Sequence, residues 1–239
     1  MRRFLKFFLF LFLLILSTNS FAQARIPREL HLGVVGGANI SQYTFHPRVS
    51  QRYTGGYTMG VAARYIEESF FGLQAELLLT ERGFADLFEP NPDEWVFERK
   101  LLYVELPVMA HVYFPMGKLN EVSIDLGPKF GYFLSDKVNS NLPENYGQTL
   151  LTSGNVYKHH ELPITEKFDY GLQFGLGYEF KFSQKISAQL TGRYYFGLAN
   201  LWPDSKADDF EQASNSSFQI SLAVWWHHII KGKKNKNNK

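Results

Sequence analysis

Residues 168–182 alternate strictly between two kinds of side chain. They read FDYGLQFGLGYEFKF: every even position is large and apolar or aromatic, and every odd position is small, polar or charged. Successive side chains leave a β-strand on opposite faces, so this two-residue period predicts a strand. The segment is far longer than the usual strand of a soluble protein, which has about 5–6 residues.

Side-chain volume decides which face of this strand lies inside. The interior of a small closed barrel is only just wide enough for side chains, so a face of Phe, Tyr and Leu could not fit there, whereas Gly, Gln, Asp and Lys could. The apolar face is therefore expected to point outward, into an apolar solvent. Because a membrane-crossing strand needs about 9–11 residues, the segment indicates an outer-membrane β-barrel.

Seven further segments alternate in a similar way, so we predict an all-β, eight-stranded antiparallel up-and-down transmembrane barrel. The clear segments are 122–134, 185–198 and 217–228, and the weaker ones are 29–39, 56–67, 70–82 and 101–114. Short connections are predicted near 68–69, 115–119 and 183–184, and four long ones over 40–55, 83–98, 135–166 and 199–216. Outer-membrane barrels combine short periplasmic turns with longer extracellular loops, which places both chain termini in the periplasm.

The first 24 residues have the layout of a secretory signal peptide. Basic residues precede an unbroken apolar stretch at 7–16, and residues 17–24 end in small side chains. We predict a signal peptide over residues 1–22 with cleavage after Ala22, and cleavage after Ala24 is the alternative. The barrel is then expected to span residues 23–230.

The charge of the chain argues against nucleic-acid binding. The formal net charge is +2, but basic residues are concentrated in the signal peptide and in the C-terminal segment 231–239, KGKKNKNNK. The body between them is acidic, which is the wrong sign for a nucleic-acid partner. We expect residues 231–239 to be a disordered, solvated tail. The chain has no cysteine, so disulfides are excluded.

Five segments resemble the strand motifs of the PorT-like outer-membrane β-barrel family. They are GLQAELLLTERGF (72–84), YVELPVMAHVYF (103–114), IDLGPKFGYFLSDK (124–137), FDYGLQFGLGYEF (168–180) and GRYYFGLANL (192–201). The resemblance extends over nearly the whole mature chain. It implies a small barrel of the outer membrane, in a family whose members are often of unassigned function. The founding member is associated with the type IX secretion and gliding machinery.

Charged residues on the small and polar strand faces are expected to point into the lumen. Buried charges are tolerated when they are paired, so we predict an interior polar network that fills the barrel. A proton or ion path through the same residues is the alternative. The predicted network residues are Arg64, Glu76, Glu105, Asp125, Lys129, Asp169, Glu179 and Arg193.

No catalytic, cofactor or metal site is predicted. Residues 159–161, HHE, lack the four suitably spaced ligands of a structural metal site, and the carboxylates of 204–211 lack the spacing of a calcium loop. Both are expected to be solvated loop residues. The sequence also contains no GxSxG, HExxH or phosphate-binding glycine loop.

These observations predict a non-enzymatic integral outer-membrane protein that needs no cofactor. It would contact outer-membrane lipid and act as a binding or structural component of the envelope, with an envelope or secretion-system protein as its partner. A small passive channel is the alternative function, and a membrane-embedded hydrolase ranks third.

A closed membrane barrel should show heat-modifiable mobility. We expect the unheated, purified protein to migrate differently from the boiled one on a denaturing gel and to need detergent for solubility. Recovery as a soluble monomer without detergent would instead indicate a lipocalin-like barrel with its apolar faces inside.

Overall fold

The computed structural model describes residues 28–46, 50–88, 95–142, 164–200 and 212–230. The predicted signal peptide, the C-terminal tail and the two loop clusters considered for metal binding lie outside the described residues. None of the described segments forms a helix that is long and apolar enough to span a membrane.

The described residues form nine antiparallel strands in one sheet, eight long and one short. The short strand pairs with the end of β4, and the long ones form the barrel. In chain order the strands are β1 Arg28–His46, β2 Gln51–Arg52, β3 Thr54–Glu68, β4 Phe71–Asp86, β5 Phe97–Met116, β6 Asn120–Ser140, β7 Phe168–Lys181, β8 Ile186–Gly197 and β9 Gln212–Ile230.

The sheet closes on itself because β1 pairs with β9 along its whole length. Following paired residues once around the ring from Glu29 leads back to Asn39 on the same strand, ten positions further on. Eight strands with this stagger tilt by about 40° to the barrel axis and leave an interior that side chains fill. The predicted up-and-down barrel is confirmed.

Most of the strands are longer at the long-loop end than the sequence predicted, although β7 and β8 are not. The β6 strand continues to Ser140 rather than ending at residue 134, and β4 continues to Asp86 into a region predicted to be a loop. Where a strand extends beyond the bilayer, its outward face need not be apolar. The alternation of apolar and polar side chains therefore stops there, while the backbone hydrogen bonds between strands continue. The long connections are accordingly shorter than predicted, and β6 and β7 are separated by residues 141–167.

The outward faces of the long strands carry exposed apolar side chains. On β7 every even residue from Phe168 to Phe180 is exposed, and Leu176 reaches 56%. The odd residues of this strand are buried or half-buried, so the direction inferred from side-chain volume is correct.

Two glycines on the inner face of β7 make room for long side chains from β8. A Cβ atom at Gly175 would lie 3.0 Å from Cγ of Arg193, and one at Gly177 would lie 2.6 Å from Nε2 of Gln189. The small residues of the alternating pattern therefore leave the space that long polar side chains occupy in the interior.

A charge on the outward face of β7 should destabilise the barrel. We expect Leu176→Arg to lower the free energy of unfolding by about 2–4 kcal/mol, because the guanidinium would lie near the middle of the bilayer. Urea unfolding in lipid vesicles, followed by tryptophan fluorescence, measures this change. The matched control is Gln184→Arg in the exposed turn after β7, which should leave the stability nearly unchanged.

Candidate functional site: the barrel interior

All eight residues predicted to point into the lumen have interior positions. Seven of them are between 0% and 3% exposed, and Asp169, near the long-loop end, is half-buried. They divide into a lower group near the short turns and an upper group near the long loops, and each group is held together by charge-assisted hydrogen bonds.

The lower group, which we call the lower network, is centred on the guanidinium of Arg64. Its nitrogens donate to Glu179 at 2.7 Å, to Gln74 at 2.8 Å and to Gln189 at 2.5 Å. The guanidinium carbon also lies 4.2 Å from the ring centroid of Trp225, in a cation–π contact. One buried cation thus joins side chains from β3, β4, β7, β8 and β9.

A second buried cation extends the lower network toward the middle of the barrel. Arg193 donates two hydrogen bonds to the carboxylate of Glu76, at 2.6 and 2.7 Å, in a bidentate pair. It also lies 3.9 Å from Asp125, whose other oxygen is 2.6 Å from Nδ1 of His111. Gln74 donates to Glu76 at 2.5 Å and connects this pair to Arg64.

The upper group, the upper network, contains two cations and two carboxylates. Lys129 donates to Glu105 at 3.0 Å, and Arg82 lies 3.5 Å from Glu105 and also pairs with Asp169. The hydroxyl of Tyr195 donates to Asp169 at 2.9 Å. The Nζ atom of Lys129 lies 3.8 Å from the Tyr195 ring centroid, so the ring shields one face of the ammonium group.

An apolar cluster closes the interior above the upper network. Its buried members are Tyr43, Phe84, Phe88, Phe97, Leu101, Tyr103 and Phe133. A cavity of about 10 Å³ at its edge is lined by Tyr43, Tyr103 and Asp169, and it has room for a single water molecule. The interior thus holds the two polar networks and, toward the long-loop end, an apolar cluster beside which Asp86 and Arg99 are also buried.

One arginine and one histidine of the networks were not predicted from the sequence. Arg82 has the same parity as Glu76 on β4, and His111 has the same parity as Glu105 on β5, so the alternation itself could have identified them. Alternation could not have identified the apolar cluster, because Phe84, Phe88 and Phe97 fall in a stretch that was predicted to be a loop.

Comparison with known proteins is consistent with this architecture. A family model of the outer membrane protein beta-barrel domain matches residues 21–202, more than half of the chain. The chain belongs to this family. The family and the barrel fold place the protein in the outer membrane, in contact with its lipid.

Solved structures that are similar to the chain include OprG and Ail. OprG, an outer membrane protein of Pseudomonas aeruginosa, is 9% identical over 86% of this chain and 98% of its own, with a TM-score of 0.52, and shares the barrel fold. Ail, the attachment invasion locus protein of Yersinia pestis, is 14% identical over 85% of this chain and all of its own, with a TM-score of 0.41. No curated protein matches the chain.

Breaking one buried ion pair of the lower network should be costly. We expect Glu76→Gln to lower the free energy of unfolding by about 3–5 kcal/mol, since Arg193 would keep a buried charge without its bidentate partner. Unfolding in detergent or lipid measures the change. The double variant E76M/R193M, which removes both charges, should recover most of the loss.

The exposed pair between Arg28 and Glu67 is the matched control. Its atoms are 2.6 Å apart, as close as those of the buried pair, but its side chains are 61% and 51% exposed. Glu67→Gln should therefore cost less than about 1 kcal/mol. Equal losses at Glu67 and Glu76 would contradict a stabilising role of the buried network.

Proposed function

We propose that this member of the family is a closed, non-conducting and non-enzymatic barrel that serves as a structural and binding component of the outer membrane. The observation that carries this proposal is the filled interior, in which two networks of paired charges and an apolar cluster occupy successive levels of the lumen. The barrel wall and its two ends then remain as the surfaces on which partners can bind.

The pairing of the charges argues against a passage for ions. Each of the cations Arg64, Lys129 and Arg193 is within 3.0 Å of a carboxylate and is almost fully buried. Opening a path would separate such pairs, and leaving one partner unpaired costs about 3–5 kcal/mol. The paired charges therefore support a static interior rather than a passive channel.

Burial also argues against a hydrolase. The pair His111 and Asp125 has the hydrogen bond expected of a general base and its orienting carboxylate. Both side chains are nearly inaccessible, at 1% and 0% exposed. A substrate could not reach them without disruption of the lower network, so we assign this pair to the structural interior.

We propose a protein of the type IX secretion or gliding machinery as the partner. This step is supported by the resemblance of the strand motifs to the PorT-like family. The short turns at residues 69–70, 117–119 and 182–185 face the periplasm and offer one candidate contact surface. A photo-crosslinking residue at Lys118, compared with one at Tyr53 near the opposite end, would test it in intact cells.

Crosslinking at Lys118 to a component of that machinery, identified by mass spectrometry, is the expected result. Recovery of an uncrosslinked monomer from both positions would contradict a partner-binding role. A crosslink from Tyr53 alone would place the partner on the extracellular side and contradict the periplasmic assignment.

The filled interior predicts an absence of steady conductance. Purified protein in planar lipid bilayers should give no long-lived open-channel steps, and a known porin inserted in the same bilayer serves as the positive control. Reproducible single-channel steps from the wild-type chain would refute the closed-barrel proposal and support the passive channel.

A further inference from the structure

The periplasmic mouth of the barrel brings together three residues from the two ends of the chain. Glu29 and His31 lie on β1, and His227 lies on β9. One imidazole nitrogen of each histidine and one carboxylate oxygen of Glu29 all lie within 4.8 Å of one another. We call these three residues the mouth triad.

The strand register explains why the members of the triad lie close together. His31 and His227 are direct cross-strand partners, and their rings stack with centroids 3.8 Å apart. Such partners have Cβ atoms about 4.5–5.5 Å apart, so their side chains can turn toward a common point. Glu29 precedes His31 by two positions on the same face, and its Oε2 is 2.9 Å from Nε2 of His31.

One ring nitrogen of His31 has no partner in the protein. His31 is 6% exposed, and its Nδ1 atom has no hydrogen-bond partner within the described residues. Buried polar atoms are nearly always paired, because an unpaired one costs about 1–3 kcal/mol. The other ring nitrogen, Nε2, lies beside the carboxylate of Glu29, and the second imidazole is close to both, so the three side chains are a set of ligands suited to a metal ion.

The surroundings of His227 resemble the outer shell of a metal site. Its Nε2 atom is 2.8 Å from the hydroxyl of Ser187 and 3.6 Å from a carboxylate oxygen of Glu179. Ligating histidines commonly use one ring nitrogen for such a hydrogen bond, which fixes the ring and leaves the other nitrogen for the metal. The lower network thus orients this member of the triad.

We propose that the mouth triad binds a divalent transition metal ion of the zinc class. Two imidazoles and one carboxylate are ligands that Zn²⁺ prefers, and three protein ligands leave a coordination position for water. The side chain of Glu29 is 30% exposed, so an ion can enter from the periplasm. No metal site is predicted from the sequence, because the members of the triad lie at opposite ends of the chain.

At this position a bound metal ion would connect the two ends of the barrel sheet. The barrel closes where its first strand, β1, pairs with its last strand, β9. An ion held by side chains of both strands adds a link across this closure. Because the triad is assembled only in the folded barrel, metal binding should stabilise the folded state.

Titration calorimetry with ZnCl₂ tests the site in the mature chain, refolded in detergent and carrying no histidine tag. We expect one Zn²⁺ per chain. His31→Gln and His227→Gln should each lower the affinity at least about 100-fold, and Glu29→Gln at least about 10-fold, because each removes a direct ligand and even the loss of an outer-shell partner costs about 10–100-fold. Each variant is first checked for heat-modifiable mobility, so that loss of binding is separated from loss of folding.

Three other histidines provide matched controls. His228 is the next residue on β9 and is exposed, and His159 and His160 are the neighbouring histidines considered in the sequence analysis. His228→Gln and the double variant H159Q/H160Q should bind Zn²⁺ like the wild type. Absence of binding by the wild type would overturn the proposal, as would loss of affinity in these controls equal to that in His31→Gln.

Two further measurements keep the proposal testable if a variant does not fold. Zn²⁺ should raise the thermal unfolding temperature of the wild type, and X-ray absorption of the Zn²⁺-loaded protein should show two imidazole ligands. A spectrum without imidazole ligands would overturn the site. Neither outcome depends on whether the barrel conducts or binds a protein partner.

Discussion

The narrow interior of an eight-stranded ring is the constraint on which the rest of the structure depends. With a stagger of ten residues, the lumen is wide enough for side chains and too narrow for a face made of aromatic residues. The bulky residues of β7 must therefore face outward, and glycines such as Gly175 and Gly177 must face inward. An outward apolar wall is stable only in lipid, so the same constraint determines the membrane location.

The interior charges follow from this arrangement. A lumen lined by short residues has room for long polar side chains from neighbouring strands, and at membrane depth each charge must find a partner. Arg64 and Arg193 meet this condition by pairing with carboxylates across the lumen, on β7 and β4. The contacts of the lower network connect seven of the eight long strands, β3 to β9, so the network ties the wall together as well as filling it.

Much of the fold could be predicted from the sequence, because alternation of side chains is a local property of a strand. The parity of residues such as Asp125 and Glu179 was sufficient to assign them to the interior. The extended strand ends were missed, since the ladder continues there without an apolar outward face. The partners of each charge, and the meeting of His31 with His227, depend on register between distant strands and could not be read from local pattern.

A spin-label scan of β7 tests most directly whether a lipid-facing wall surrounds a filled interior. The chain has no cysteine, so single cysteines can be placed at Leu172, Gln173, Phe174 and Leu176 without a background. In lipid vesicles, labels at the even positions should be accessible to oxygen dissolved in the bilayer, and the label at Gln173 should be shielded from both oxygen and a water-soluble nickel chelate. Access of the nickel chelate to position 173, or lipid exposure there instead of at the even positions, would contradict the account.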